Sequence, residues 1–310
     1  MIGSIMKGKK CRPISVCLYF TIASITLSTA NILNFAIPFT YAQTNASALN
    51  NMKTSNGNSA ENLTTHATNV GLQIKRVNYF DNASGYLVYP SAAAHSNSSS
   101  LTISKKIPAV IMIHEFWGIN DNIRSMAQTL ARQGGYVVLA VDLFKGHSTT
   151  DPSVASQLVK SVRDNQQEAL SNLQAAVKYV SSLPFVDSSK IASIGWCFGG
   201  GQSLQLALHS EQHPLVATVL YYGTPLVTDK QQLSSIKWPI LGIFGDQDQA
   251  NPLPLIRSFK AALNGDNITN TIVIYNGLGH AFANPSGANY APQQTADAWQ
   301  KTLTFLSKYL

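Results

Sequence analysis

The sequence predicts an α/β fold, a mostly parallel central sheet with helices on both faces, over about residues 71–310. Three observations predict it. Short apolar runs alternate with stretches of helical spacing, and repeated strand–helix–strand units imply parallel strands joined by right-handed crossovers. Runs such as "PAVIMI" (108–113) and "YVVLAV" (136–141) are continuously apolar, as strands buried on both faces must be. No internal repeat divides the chain, so one domain is the simplest account.

In order, residues 73–79 and 85–89 alternate in short runs and read as an opening hairpin. A Ser/Ala/Asn loop separates Tyr89 from Lys105. Strand 108–113 follows, then a helix over 122–132 with Ile123, Met126, Ala127 and Leu130 on one face. Strand 136–141 leads into a long helical region, 154–183, which a break can divide. Strand 190–194 precedes a helix opening at 202–208. Strands 216–221 and 239–244, helix 254–263, strand 271–275 and a closing helix 294–309 complete the chain.

The first 42 residues read differently. Lys7, Lys9, Lys10 and Arg12 form a basic cluster, and residues 14–42 carry no charge. A basic start, an apolar stretch and small residues before Gln43 describe an export signal. The stretch is also long enough to span a bilayer, so an uncleaved anchor is the alternative. Pro38 and the small residues favour cleavage. Residues 43–70, rich in Asn, Ser and Thr, cannot bury enough surface to offset their ordering entropy and read as a flexible linker. Five Asn-x-Ser/Thr triplets, at Asn45, Asn62, Asn82, Asn97 and Asn267, are consistent with export. The product is expected outside the cell or tethered to the outer face of its membrane, as a monomer.

Composition excludes some classes. Charged residues are only 12%, so neutral hydrogen-bonding groups make most of the polar surface. Removing the four basic residues of the export segment from the net +7 leaves about +3, too weak for a nucleic-acid surface.

Cys11 and Cys17 lie in the export segment, so Cys197 would be the one cysteine of the mature chain. It cannot form an internal disulfide. It sits in "IGWCFGGGQ", between an apolar run and a helical one. Gly-x-Cys-x-Gly is the spacing of a nucleophile elbow, where small residues are needed because strand and helix backbones pass closely. The helix N-terminus behind it favours a thiolate, and the Phe198 N–H would face a developing oxyanion. An α/β-hydrolase places nucleophile, acid and histidine in that order, each after a strand. Here "GDQDQANP" follows strand 239–244 and "GLGHAF" follows strand 271–275. His280 is the expected base. Asp246 and Asp248 compete for the acid, and the spacing from Gly245 favours Asp248. Glu115, in "IHEFWG" after strand 108–113, would sit in the same crevice, and Phe116 would supply the second oxyanion N–H. The run His114-Glu115 lacks the second histidine of a zinc helix, since Gly118 stands there. His209 and His213 lack a third ligand. Neither a metal nor another cofactor is expected.

Together "VIMIHEFWGINDNIR" (with Glu115 and Arg124), "GYVVLAVDLF" (with Asp142), "IGWCFGG", "GDQDQANP" and "GHAF" resemble the dienelactone hydrolase family. The resemblance implies an α/β-hydrolase fold and a Cys197-His280-Asp248 triad. It also implies that Glu115 takes the thiol proton when substrate binds. The implied reaction is hydrolysis of a lactone or carboxylic ester, of the carboxymethylenebutenolidase kind. Two departures concern the substrate. The family's best-studied branch binds a substrate carboxylate with arginines where this chain has Gly146, beside Lys145, and Asn284. A neutral ester or lactone is therefore at least as well suited as an acidic one. Trp117, Phe144, Lys145 and Asn284 are the expected substrate contacts; with Trp117 and Phe144, Phe116, Trp196, Phe198 and Phe282 either line an apolar acyl pocket or, for several of them, belong to the core. The alternative is a non-catalytic exported binding protein on the same fold. A glutamine amidotransferase would need His-x-Glu where "HAF" stands, and a thiol redox role lacks a second cysteine.

Overall fold

The computed structural model describes residues 71–91 and 106–310; the export segment, the linker and the loop over 92–105 lie outside the described residues. The strands are β1 (Leu72–Phe80), β2 (Ala83–Pro90), β3 (Ile107–Ile113), β4 (Val137–Val141), β5 (Val186–Trp196), β6 (Ala217–Tyr221), β7 (Ile240–Gly245) and β8 (Asn270–Tyr275). The helices are α1 (Asp121–Gly134), α2 (Pro152–Asp164), α3 (Gln166–Ser182), α4 (Phe198–Leu208), α5 (Lys230–Leu233), α6 (Leu253–Gly265) and α7 (Pro292–Tyr309). They build one sheet of eight strands in the order β1-β2-β4-β3-β5-β6-β7-β8. The opening hairpin is antiparallel and joins β4 antiparallel; every pairing from β4 to β8 is parallel.

Alternate strand residues feed two cores. Ile111, Leu139 and Ile191 face one side with Leu173 of α3, Leu204 of α4 and Phe259 of α6. Val110, Val138 and Ile194 face the other with Ile123 and Leu130 of α1 and Leu306 of α7. Burial on both faces explains the unbroken apolar runs. Side-chain caps fix helix starts: Asn120 accepts from the Ile123 N–H and Asp151 from the Ser153 and Val154 N–H groups.

The structure differs from the sequence expectation at a few ends. The long helical region does divide, at Asn165, whose N–H bonds back to Val162. Strand β5 begins at Val186, before the expected Lys190, and helix α4 begins at Phe198, not Gln202. The glycines of its first turn hid that start, because glycine weakens any helical pattern. The four-residue α5 is too short to show a period.

Those glycines answer a packing demand. A Cβ on Gly195 would stand 2.1 Å from the Gly199 carbonyl oxygen, and one on Gly199 would stand 2.3 Å from that of Ile113. Helix α4 thus enters directly against β3 and β5, leaving no room for a methyl group. Gly199→Ala is expected to destabilise the fold by about 1–3 kcal/mol, read as a lower urea midpoint. An unchanged midpoint would refute this account of the glycine.

Candidate active site

The parallel register brings the strand ends level. Ile113 pairs with Gly195, Trp196 with Tyr221, Tyr221 with Ile243 and Gly245 with Tyr275. The loops after β3, β5, β6, β7 and β8 therefore open on one edge, where such folds bind ligands.

Cys197 stands between β5 and α4 with φ 54° and ψ −120°. A non-glycine residue in that region is strained by about 1–3 kcal/mol, and the surroundings hold it there. Its N–H donates to the Tyr221 carbonyl at 2.9 Å, and its carbonyl accepts from Gly201 and Thr224, each at 3.1 Å. With that carbonyl turned into the helix, the planar trans peptide turns the Phe198 N–H the opposite way. The same reasoning applies after β3. The Glu115 carbonyl accepts from Gly118 at 3.2 Å and faces His114 Nδ1 at 2.6 Å, so the Phe116 N–H points away from them.

His280 joins the thiol to the acid. Its Nε2 lies 3.0 Å from Cys197 Sγ and its Nδ1 lies 2.9 Å from Asp248 Oδ2. Asp248 is buried and also accepts from the Ala250 N–H at 2.8 Å and the Asn251 N–H at 3.2 Å. Burial works against its charge, but the hydrogen bonds from His280, Asn251 and Ala250 outweigh burial and hold its carboxyl below the usual range. For His280 burial opposes protonation, yet Asp248 and Cys197 together push its pKa up to about 10. The competition between two aspartates is decided by direction: Asp246 turns to the Gly277 N–H at 2.7 Å and ties the two loops together.

Glu115 is buried near the histidine. Its Oε2 accepts from Asn284 Nδ2 at 2.6 Å, and Oε1 lies 3.4 Å from the Tyr222 hydroxyl. Those are its hydrogen-bond partners among the described residues, and Cys197 is not one of them. Burial is the largest influence and raises its pKa to about 7, against smaller opposing effects of Tyr222, His280 and Asn284. His114 is wholly buried, with Nε2 accepting from the Leu143 N–H at 3.2 Å, so Nδ1 carries the hydrogen and the neutral ring clamps two loops. Burial lowers its pKa. Both nitrogens are engaged, which removes it as a ligand, and among the described residues no three metal-ligating side chains converge.

The expected substrate contacts fare unevenly. Trp117 is half-buried with its ring 4.0 Å from that of Phe116. Phe144 is in the core instead, packed on His114 and Phe198. Lys145 is exposed and pairs with Glu168 at 2.7 Å. Both border a cavity of about 380 Å³ whose lining contains none of Cys197, Asp248 and His280. Asn284 is buried and spends its amide on Glu115 and on the Ser286 N–H. Trp196, Phe198 and Phe282 are core residues too, which leaves Phe116 and Trp117 as the half-buried aromatics of that group. Asp142 shapes the loop after β4 by accepting from the Phe144 N–H at 2.9 Å and from the Gly146 N–H. Arg124 pairs with its helix neighbour Asp121 at 2.8 Å.

Sequence reasoning missed Tyr222 and Asn251. Tyr222 follows β6 with φ 39°, is fully buried, and sets its ring 5.1 Å from that of His280. A tyrosine after an apolar strand reads as core, so the only available signal was its place at the end of a parallel strand.

Because Glu115 binds more protons folded than unfolded between its usual 4.5 and about 7, it lowers stability as pH rises across that window. Glu115→Gln should remove a pH-dependent difference on the order of 3 kcal/mol, seen as a smaller fall in denaturation midpoint from pH 5 to 8. Parallel pH curves for the two proteins would contradict the burial account.

Comparison with known proteins identifies the family. Residues 94–310 match the Dienelactone hydrolase family. A protein of Saccharolobus solfataricus named as a candidate carboxymethylenebutenolidase is 29% identical over 262 residues, covering 72% of this chain and 97% of that one. One so named from Escherichia coli is 30% identical, covering 66% of this chain and 78% of its own. Among solved structures, a dienelactone hydrolase-like promiscuous phosphotriesterase from metagenomic libraries superposes with a TM-score of 0.67 at 23% identity, covering 77% of this chain and 98% of that one. A protein of Klebsiella pneumoniae, described as a candidate dienelactone hydrolase, gives 0.63 at 24% identity, covering 78% and 100%. None of these relatives favours the alternative of a non-catalytic binding protein. The chain belongs to the dienelactone hydrolase family and is a hydrolase built on an α/β-hydrolase fold.

Proposed function

We propose that the protein hydrolyses neutral carboxylic esters or lactones through Cys197, His280 and Asp248. The observation that carries this is the continuous chain from Sγ through both imidazole nitrogens to a buried carboxylate, at 3.0 and 2.9 Å. Such a relay makes a nucleophile and supplies the proton that the leaving group needs. Cys197 Sγ, its proton taken by Glu115 as substrate enters, attacks the carbonyl carbon beside a protonated His280. The oxyanion is met by the Phe198 and Phe116 N–H groups, and the leaving alkoxide takes the proton from His280. Water then attacks the thioester, giving its proton to the same nitrogen, and the acid leaves as the thiol re-forms. Glu115 returns the proton it took as the thiol re-forms, and Trp117 borders the acyl group.

Neutral substrates are favoured by what stands at the two cation positions. Gly146 has no side chain, and the amide of Asn284 is neutral and engaged. Lys145 is already paired with Glu168. An ionised Glu115 would repel a substrate carboxylate. The proposal includes export through residues 1–42, cleaved or kept as an anchor, and a monomeric state; membrane contact follows only in the second case.

Turnover of p-nitrophenyl esters and of neutral and acidic lactones by residues 43–310 tests the chemistry. Cys197→Ala should lose at least about 10³-fold in kcat, and neutral lactones should turn over faster than acidic ones. Equal turnover by both proteins would end the nucleophile assignment, and a preference for acidic lactones would end the substrate assignment. Activity should also rise with pH through about 7 as Glu115 ionises. That inflection should vanish in Glu115→Gln; its survival there would exclude Glu115 from proton exchange.

A further inference from the structure

Asn251 is wholly buried in the loop after β7, three residues beyond Asp248. Its N–H donates to Asp248 Oδ1 and its Nδ2 to Asp248 Oδ2, each at 3.2 Å. The same Nδ2 donates to the Tyr222 carbonyl at 3.2 Å. Its Oδ1 accepts nothing from the described residues. Reversing the amide would bring that oxygen against a carboxylate and a carbonyl, so the donor end must face them. A buried amide with one end unpaired is costly to keep, and an apolar residue of similar shape would avoid the cost. Its donor end therefore serves something that packing does not.

The partners say what that is. Asp248 Oδ2 is the oxygen that faces His280 Nδ1. Tyr222 carries the phenol that reaches Glu115 and the ring that lies edge-on to His280. One NH₂ group thus touches the acid that faces the histidine and the backbone of the tyrosine packed against it. Resting on the proposed triad, we infer that Asn251 is a positioning residue: its amide sets the plane of the Asp248 carboxylate and ties it to Tyr222, so that the two acids near His280 share one frame. It acts through Asp248 and touches no reacting atom.

The test uses the rate of Cys197 alkylation by iodoacetamide against pH, with p-nitrophenyl acetate turnover alongside. The groups facing His280 are Asp248, Cys197, Tyr222 and Glu115, and Asn251 faces Asp248. Asn251→Leu keeps the shape without the donor; Asn251→Ser keeps a donor without the shape. A worse-aligned Asp248 holds the His280 proton less well, so His280 supports the sulfur's charge less and alkylation slows. The alkylation profile of Asn251→Leu should move up by about one pH unit, roughly tenfold in rate near neutrality. Its kcat should fall by a similar factor with KM little changed. Asn251→Ser should lie between Asn251→Leu and the parent protein despite the greater lost volume. A profile for Asn251→Leu that matches the parent, per folded molecule by circular dichroism, would overturn the inference. So would Asn251→Ser being the more shifted of the two. Alkylation needs no substrate, so failure of the hydrolase chemistry, shown by turnover in Cys197→Ala, is read separately.

Discussion

The close contact of β5, α4 and β3 around Cys197 governs the rest of the site. Two backbones pass with no room for a Cβ at Gly195 or Gly199, and Cys197 between them takes φ 54°. That turn exposes the sulfur and aims the first free N–H groups of α4 at the same space. Strain of this kind persists only where neighbours over-determine it. Here the Tyr221 carbonyl, the Gly201 and Thr224 N–H groups and the two-sided core do so. The catalytic loops can then be short, because the parallel register has already brought their strand ends level.

Around this elbow, environment divides two carboxyls by role. Asp248 is buried but receives donors on both oxygens, so it stays ionised and favours a proton on His280. Glu115 is buried with weaker support, and desolvation lifts it toward neutrality. Side chains of nearly identical chemistry thereby become a fixed charge and a group poised to gain or lose a proton. The neutral Asn284 is central to that difference, since a cation in its place would favour the charged form of Glu115.

The strand-to-helix turn at Cys197, the placing of Asp248 and His280 after strands, and the alternating strands and helices were legible because each leaves a local mark: Gly-x-Cys-x-Gly, two loops after apolar runs, and two distinct hydrophobic periods. The choice of Asp248 over Asp246 was legible only as a spacing. The aromatic contacts were the weak point. Phe144, Trp196, Phe198 and Phe282 have the composition of an acyl pocket and the burial of a core, and no sequence period separates the two. Lys145 looked available until its partner Glu168, twenty-three residues on, was brought across from α3.

The sequence by itself determined the architecture and marked Cys197 and His280 as candidates, because these depend on residues adjacent in the chain or on short strands with continuous apolar runs. Tertiary structure fixed the direction by which Asp248 faces the histidine, and alone decided that Asn284 holds Glu115 instead of facing open space, and that Tyr222 and Asn251 belong to the site. Those relations join segments up to 169 residues apart. They turn on the direction of single side chains at strand ends, where the periodicity that makes a sequence readable has stopped.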